Sequence, residues 1–170
     1  MSKRSTVLRA ALVTATAAAA VTALAAPASA AGGSATHNGF TLTASNATGL
    51  AAAGETVTVT GSGFSALNGY YVALCGVPED YSYGTKPSPC AGGDGQGGTG
   101  VGPSAWVTNS PGGTSPIAAN GTFTTQIRVV RAGTGLDCGD PSVTCAIVSR
   151  RDHLSAGDRT ADVFIPVTFS

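Results

Sequence analysis

Seven short segments alternate apolar and polar residues with a period of two, no segment sustains ten residues of helical periodicity, and four cysteines follow the N-terminal 30 residues. Together these predict an all-β fold, a seven-stranded immunoglobulin-like antiparallel β-sandwich with two local disulfides. Residues 39–170 are expected to form the sandwich, residues 31–38 a flexible N-terminus, and residues 1–30 a removed leader.

The leader is read from its three parts. Lys3, Arg4 and Arg9 are a basic start, Ala10 to Ala26 is an apolar run broken by three threonines, and Pro27 precedes Ala28-Ser29-Ala30. That is the pattern of a secretory signal peptide cleaved after Ala30. An alanine-rich run of this length is also at the lower limit for spanning a bilayer, so a retained anchor is the competing reading. Export implies a secreted, extracellular protein with no membrane association after cleavage.

Composition changes once the leader is set aside. Three of the nine basic residues go with it and none of the nine acidic ones, leaving a net charge of −3 on residues 31–170. Leu, Ile, Val and Phe make up 27 of those 140 residues. So small an apolar share gives a thin core that needs covalent reinforcement. Four cysteines allow three connectivities. The sequential one, Cys75–Cys90 and Cys138–Cys145, closes two Gly/Pro-containing loops, each flanked by strand-like segments. Loops of about 16 and 8 residues correspond to roughly 3 and 2.5 kcal/mol of chain entropy. A zinc site is the rival use of the cysteines, but no C-x-x-C pair occurs and only His37 and His153 follow the leader. No metal or cofactor is expected.

In order, the strands are Phe40 to Ala44, Thr56 to Thr60, Tyr70 to Cys75, Ser104 to Thr108, a segment whose Phe123, Thr125, Ile127 and Val129 share a face, Thr144 to Ser149, and a last segment with Val163, Ile165, Val167 and Phe169 on one face. Tyr70 to Cys75 is apolar almost throughout, unlike the others. Asn120-Gly121 marks a tight turn. Two connections are long, Gly76 to Pro103 and Asn109 to Asn120, and the first carries seven glycines within Ala91–Gly102. That run precedes a strand and has no Gly-Lys-Ser/Thr ending, so it is a spacer and not a phosphate loop.

Catalytic constellations are sparse. No Gly-x-Ser-x-Gly elbow and no His-Glu-x-x-His occurs. Asp152-His153 could serve an acid/base enzyme, but with Arg150, Arg151, Asp158 and Asp162 nearby it reads better as a polar hairpin pairing its charges at the surface. Six dispersed basic residues supply no stripe for direct nucleic-acid binding. What remains is a binding module. Trp106 either fills the core or stands outward as an aromatic platform. If Cys145 and Ile147 point inward, Ala146, Val148 and Arg150 line the opposite face of the same strand.

Several stretches resemble the neocarzinostatin family, the secreted apoproteins of enediyne chromoproteins from actinomycetes. They are Gly49-Leu50, Gly54 to Phe64, Tyr71 to Cys75, Cys90, Gly102-Pro-Ser-Ala-Trp106, Asn120-Gly121, Arg128 to Arg131, Asp137-Cys138, Cys145 and Val167-Thr-Phe169. The resemblance implies a non-enzymatic carrier whose cleft holds a small hydrophobic or aromatic ligand. That cargo would carry any antibiotic or DNA-damaging effect. Trp106 is similar to an aromatic cleft residue, and Ala146, Val148 and Arg150 to the cleft floor. The sequence departs from the family where only Ala132 to Leu136 separates Arg131 from Asp137, in place of a long aromatic hairpin. Its first disulfide loop is also longer. The alternative is an extracellular interaction module that binds a cell-envelope component or a protein through its long loops. A monomer is expected in either case.

Overall fold

Alternation sets the core. In the computed structural model, which describes residues 31–93, 100–133 and 135–170, the apolar positions of the alternating segments Phe40–Thr48, Glu55–Ser62 and Phe123–Val129 fall on one face of each strand. The strands are β1 (Ala31–His37), β2 (Phe40–Thr48), β3 (Glu55–Ser62), β4 (Tyr70–Val77), β5 (Ser104–Val107), β6 (Phe123–Val129), β7 (Ala132–Gly133), β8 (Leu136–Asp137), β9 (Thr144–Arg151) and β10 (Val163–Pro166). One sheet has the order β1-β2-β3-β6 and the other β10-β9-β4-β5, with all pairings inside them antiparallel. A small hairpin, β7–β8, stands apart. All seven expected strands are present. The signal peptide expected over residues 1–30 and residues 94–99 of the glycine-rich run lie outside the described residues.

Between the sheets, Leu42, Val57, Val59 and Ile127 from the first meet Val72, Leu74, Val107, Ile147 and Ile165 from the second. One end is filled by aromatic rings. Phe64 lies 4.9 Å from both Tyr70 and Phe123 in edge-to-face contact and 5.1 Å from Phe40. The backbone N–H of Ser65 donates to Tyr70 Oη at 3.2 Å, so this deeply buried phenol keeps a partner.

The N-terminal segment corrects an expectation. Residues 31–37 are a paired edge strand and not a loose tail: Ser34, Ala35, Thr36 and His37 stand opposite Thr43, Leu42, Thr41 and Phe40. Glycines at 32 and 33 read as a linker, yet Gly33 is needed for close approach. A Cβ there would sit 2.6 Å from Ile165 and 2.8 Å from Ala47, side chains of the two sheets that β1 spans.

The outer faces of the two sheets differ. On the first, Ser34, Thr43, Thr60 and Thr124 form an exposed hydroxyl row in register across all four strands. Threonine suits a pleated surface that faces water. On the second, β4 and β9 are buried along nearly their whole length on both faces.

Both disulfides join the sequential pairs Cys75–Cys90 and Cys138–Cys145. Cys145 belongs to the inner core, whereas Cys75 and Cys90 lie in a second apolar cluster on the outer face of the β10-β9-β4-β5 sheet. Replacing Cys138 and Cys145 together by alanine should cost about 2.5 kcal/mol, read from the urea midpoint at constant m-value.

Candidate functional site

The register of the second sheet places the predicted residues. Trp106 of β5 stands opposite Tyr71 of β4, Tyr71 opposite Arg150 of β9, and Asp162 follows just outside β10 beside Val163, whose partner is Ser149. One step along, Ser104, Ala73, Val148 and Phe164 form the next row, and Cys75, Ala146 and Pro166 the third. The outer face of this sheet is therefore a grid, polar and aromatic along its first row and apolar below.

Trp106 stands outside both apolar clusters and is half-buried, so it is not a core filler. Its indole N–H donates to Asp152 Oδ2 at 3.1 Å. The other oxygen of that carboxylate accepts the backbone N–H of Leu154 at 3.1 Å and caps the single turn of 3-10 helix His153–Ser155. The N–H of Asp152 donates to the Gly69 carbonyl. Glycine is required at 69, because a Cβ there would overlap the Asp152 carboxylate and lie 3.0 Å from Trp106 Nε1. On the other side, the backbone N–H of Thr114 donates to the Trp106 carbonyl at 2.7 Å. The loop after β5 is clamped by Asn109, whose amide donates to the carbonyls of Ala66 and Ile117 and accepts the Ile117 N–H.

His153 is exposed and closes the group. It shares a 2.7 Å hydrogen bond with Tyr71 Oη through Nδ1, and its ring lies 5.4 Å from that of Trp106. Burial, reinforced by the Asp152 charge, holds the Tyr71 phenol above its ordinary value. The Arg150 guanidinium lies over the Tyr71 ring at 5.6 Å, within cation–π range.

The charged stretch 150–162 is not the solvated hairpin expected of it. Arg151–Asp158 is a partly exposed pair at 3.5 Å, but Arg150, Asp152 and Asp162 are buried. Asp162 Oδ2 accepts from Arg159 Nη1 at 3.2 Å, while Oδ1 has no hydrogen-bond partner. Burial outweighs the pull of Arg159 and Arg150 and raises this carboxyl from 3.8 to about 7.

Ala146 and Val148 face the same side as Arg150 but are closed to solvent. With Ala73, Cys75, Cys90 and Phe164 they form the outer apolar cluster, against which Val77 and Tyr81 pack. Tyr83 of the same disulfide loop stacks on Phe164 at 4.7 Å. Sequence reasoning missed the roles of Tyr71, His153 and Asp152 beside Trp106. Only the strand parity of Tyr71 could have pointed to it.

A family model, the neocarzinostatin family, matches residues 42–169. The chain belongs to the neocarzinostatin family. Members of the family are non-enzymatic apoproteins that bind small chromophore ligands, and they are secreted. A solved structure similar to this chain is macromomycin, at 22% identity and a TM-score of 0.47, covering 77% of this chain and 99% of that one. A relative in Corynebacterium glutamicum, thiamine biosynthesis protein X, is 35% identical over 118 residues, 69% of this chain. This chain spans 57% of the length of that relative. Val77, Tyr81 and Tyr83, between Cys75 and Cys90, pack over the outer sheet face. Among the described residues, no helix is long and apolar enough to cross a membrane.

Gly69→Ala should displace the Asp152 carboxylate and release the indole, seen as a red-shifted Trp106 emission in a protein with unchanged far-UV circular dichroism. The raised Asp162 value means that the native state holds this proton more tightly than the unfolded chain does. Stability should therefore fall as pH rises from 3.8 through about 7. Asp162→Asn, which mimics the neutral acid, should flatten that decline in urea titrations across the range.

Proposed function

We propose that this protein is an exported, non-enzymatic carrier of a small aromatic ligand, engaged on the row formed by Trp106, Tyr71 and Arg150, with Ala146 and Val148 as the apolar support beneath. The observation that carries the reading is Trp106. It is half-buried, its N–H is taken by Asp152, and its ring lies 5.4 Å from that of His153 at a tilt of 55°. An indole whose N–H is already taken has aromatic surface rather than a hydrogen bond to offer, which suits a planar guest. The leader pattern over residues 1–30 and the paired cysteines support export. An antimicrobial cargo is what membership of the family suggests, and any effect on DNA would belong to that cargo. The Corynebacterium glutamicum relative is named for thiamine biosynthesis. Thiamine is itself a small molecule with aromatic rings, so it belongs among the ligands to test.

A second reading, an extracellular interaction module, is favoured by a different observation. Leu67 and Leu154 are 95% and 76% exposed on the loops joined by the Asp152–Gly69 hydrogen bond, beside Trp106. Apolar tips on adjacent loops suit a macromolecular contact.

Emission from Trp106 separates the two. Titration with thiamine, naphthoic acid and polycyclic aromatic natural products should give saturable quenching for at least one of them. Trp106→Ala should weaken that ligand roughly 3- to 10-fold by calorimetry, the value of one aromatic stack. Unchanged emission and no heat across the panel would overturn the carrier reading in favour of the interaction module.

A further inference from the structure

A second aromatic arrangement lies at the far edge of the same sheet. His37, the last residue of β1, and Phe164 of β10 enclose the ring of Tyr83 between them. The Tyr83 and His37 rings are parallel within 1° at 3.5 Å, and the Tyr83 and Phe164 rings lie 4.7 Å apart at 24°. Both walls belong to the sandwich. Phe164 is buried in the outer apolar cluster. His37 Nδ1 lies 2.8 Å from the Asp162 carbonyl, and because a carbonyl only accepts, Nδ1 carries the hydrogen and the ring is held in orientation.

The occupant is held differently from the walls. Tyr83 is 39% exposed and sits among exposed neighbours, residues 82–86. Gly84, next to it, has a φ of +108° with open space around its Cβ position. Local opening of such a segment, with few buried contacts, is inexpensive compared with opening the sheets. The slot is thus made by the fold and filled by a loop.

We infer that the His37–Phe164 slot is a binding site for a planar aromatic group, occupied in this state by the chain's own Tyr83, and that an external planar aromatic guest exchanges with it. The slot is offset from Trp106 across the sheet, with Val148, the cross-strand partner of Phe164, lying between them. Phe164 is on one edge strand of the sheet and Trp106 on the other, three strand spacings or roughly 14 Å apart. It holds whether or not the Trp106 row takes a ligand.

The test uses N-phenyl-1-naphthylamine, a neutral probe whose fluorescence rises in apolar surroundings. Tyr83→Ala, in an exposed loop, should bind it at least 10-fold more tightly than the wild type. Tyr83→Phe, which keeps the occupant, should match the wild type within about 2-fold. Tyr83→Ala with His37→Ala, which removes one wall, should lose the gain. The gain should persist in a Trp106→Phe background, which separates this site from the Trp106 row. In the wild type, saturating probe should speed amide exchange in residues 82–86 as Tyr83 leaves. No tightening in Tyr83→Ala, tightening that survives loss of His37, or unchanged exchange at 82–86 would each overturn the inference.

Discussion

The structure depends on two strands that have no outside. β4 and β9 are neighbours at the centre of the second sheet, and each presents apolar side chains to both of its faces. One face is satisfied by the opposing sheet, as in any sandwich. The other would leave Ala73, Ala146, Val148 and Phe164 in water unless the chain covered them. The loop from Val77 to Cys90 does this. It is tied at its root by the Cys75–Cys90 bond and by backbone hydrogen bonds from Gly76 to the Pro89 carbonyl, Ser88 to the Gly76 carbonyl and Ala91 to the Leu74 carbonyl. The disulfide sits inside the apolar cluster that the loop covers, so covalent closure and burial act on the same contact surface.

The first row of the grid gives this face its chemical character. Moving from β5 to β10, it runs from a half-open tryptophan through a buried tyrosine and arginine to a buried acid. Polarity therefore rises inward and away from the open end. Arg150 is held against the Tyr71 ring and in the field of Asp162, so the cation fills the floor instead of projecting from it. The β7–β8 hairpin is too short to wall this face, and the disulfide loop lies across the neighbouring rows.

Much of this was legible before any coordinates. The seven alternating segments are strands because a period of two separates Leu42 and Ala44 from Thr41 and Thr43, and Val57 and Val59 from Thr56, Thr58 and Thr60. The same parity places Ala146, Val148 and Arg150 opposite to Cys145 and Ile147. β1 was not legible, since Ala-Gly-Gly-Ser has no alternation and becomes a strand only through pairing with β2 and the room its glycines leave for Ile165 and Ala47. Nor was the covered floor legible. Tyr83 lies in the disulfide loop, and its contact with Phe164 spans about 80 residues of sequence. The burial of Asp162 arises in the same way, from register and not from its neighbours in the chain.

Asn109 extends these relations beyond the folded geometry. One primary amide donates to two carbonyls and accepts one N–H, holding the loop whose backbone also supports Trp106. No isostere does the same work: an aspartate would turn acceptor oxygens toward the Ala66 and Ile117 carbonyls and place a negative charge among them. Asparagine amides hydrolyse slowly without any enzyme. Deamidation at Asn109 would thus replace an attraction by a repulsion in the loop that supports the only tryptophan, at a point that neither disulfide holds.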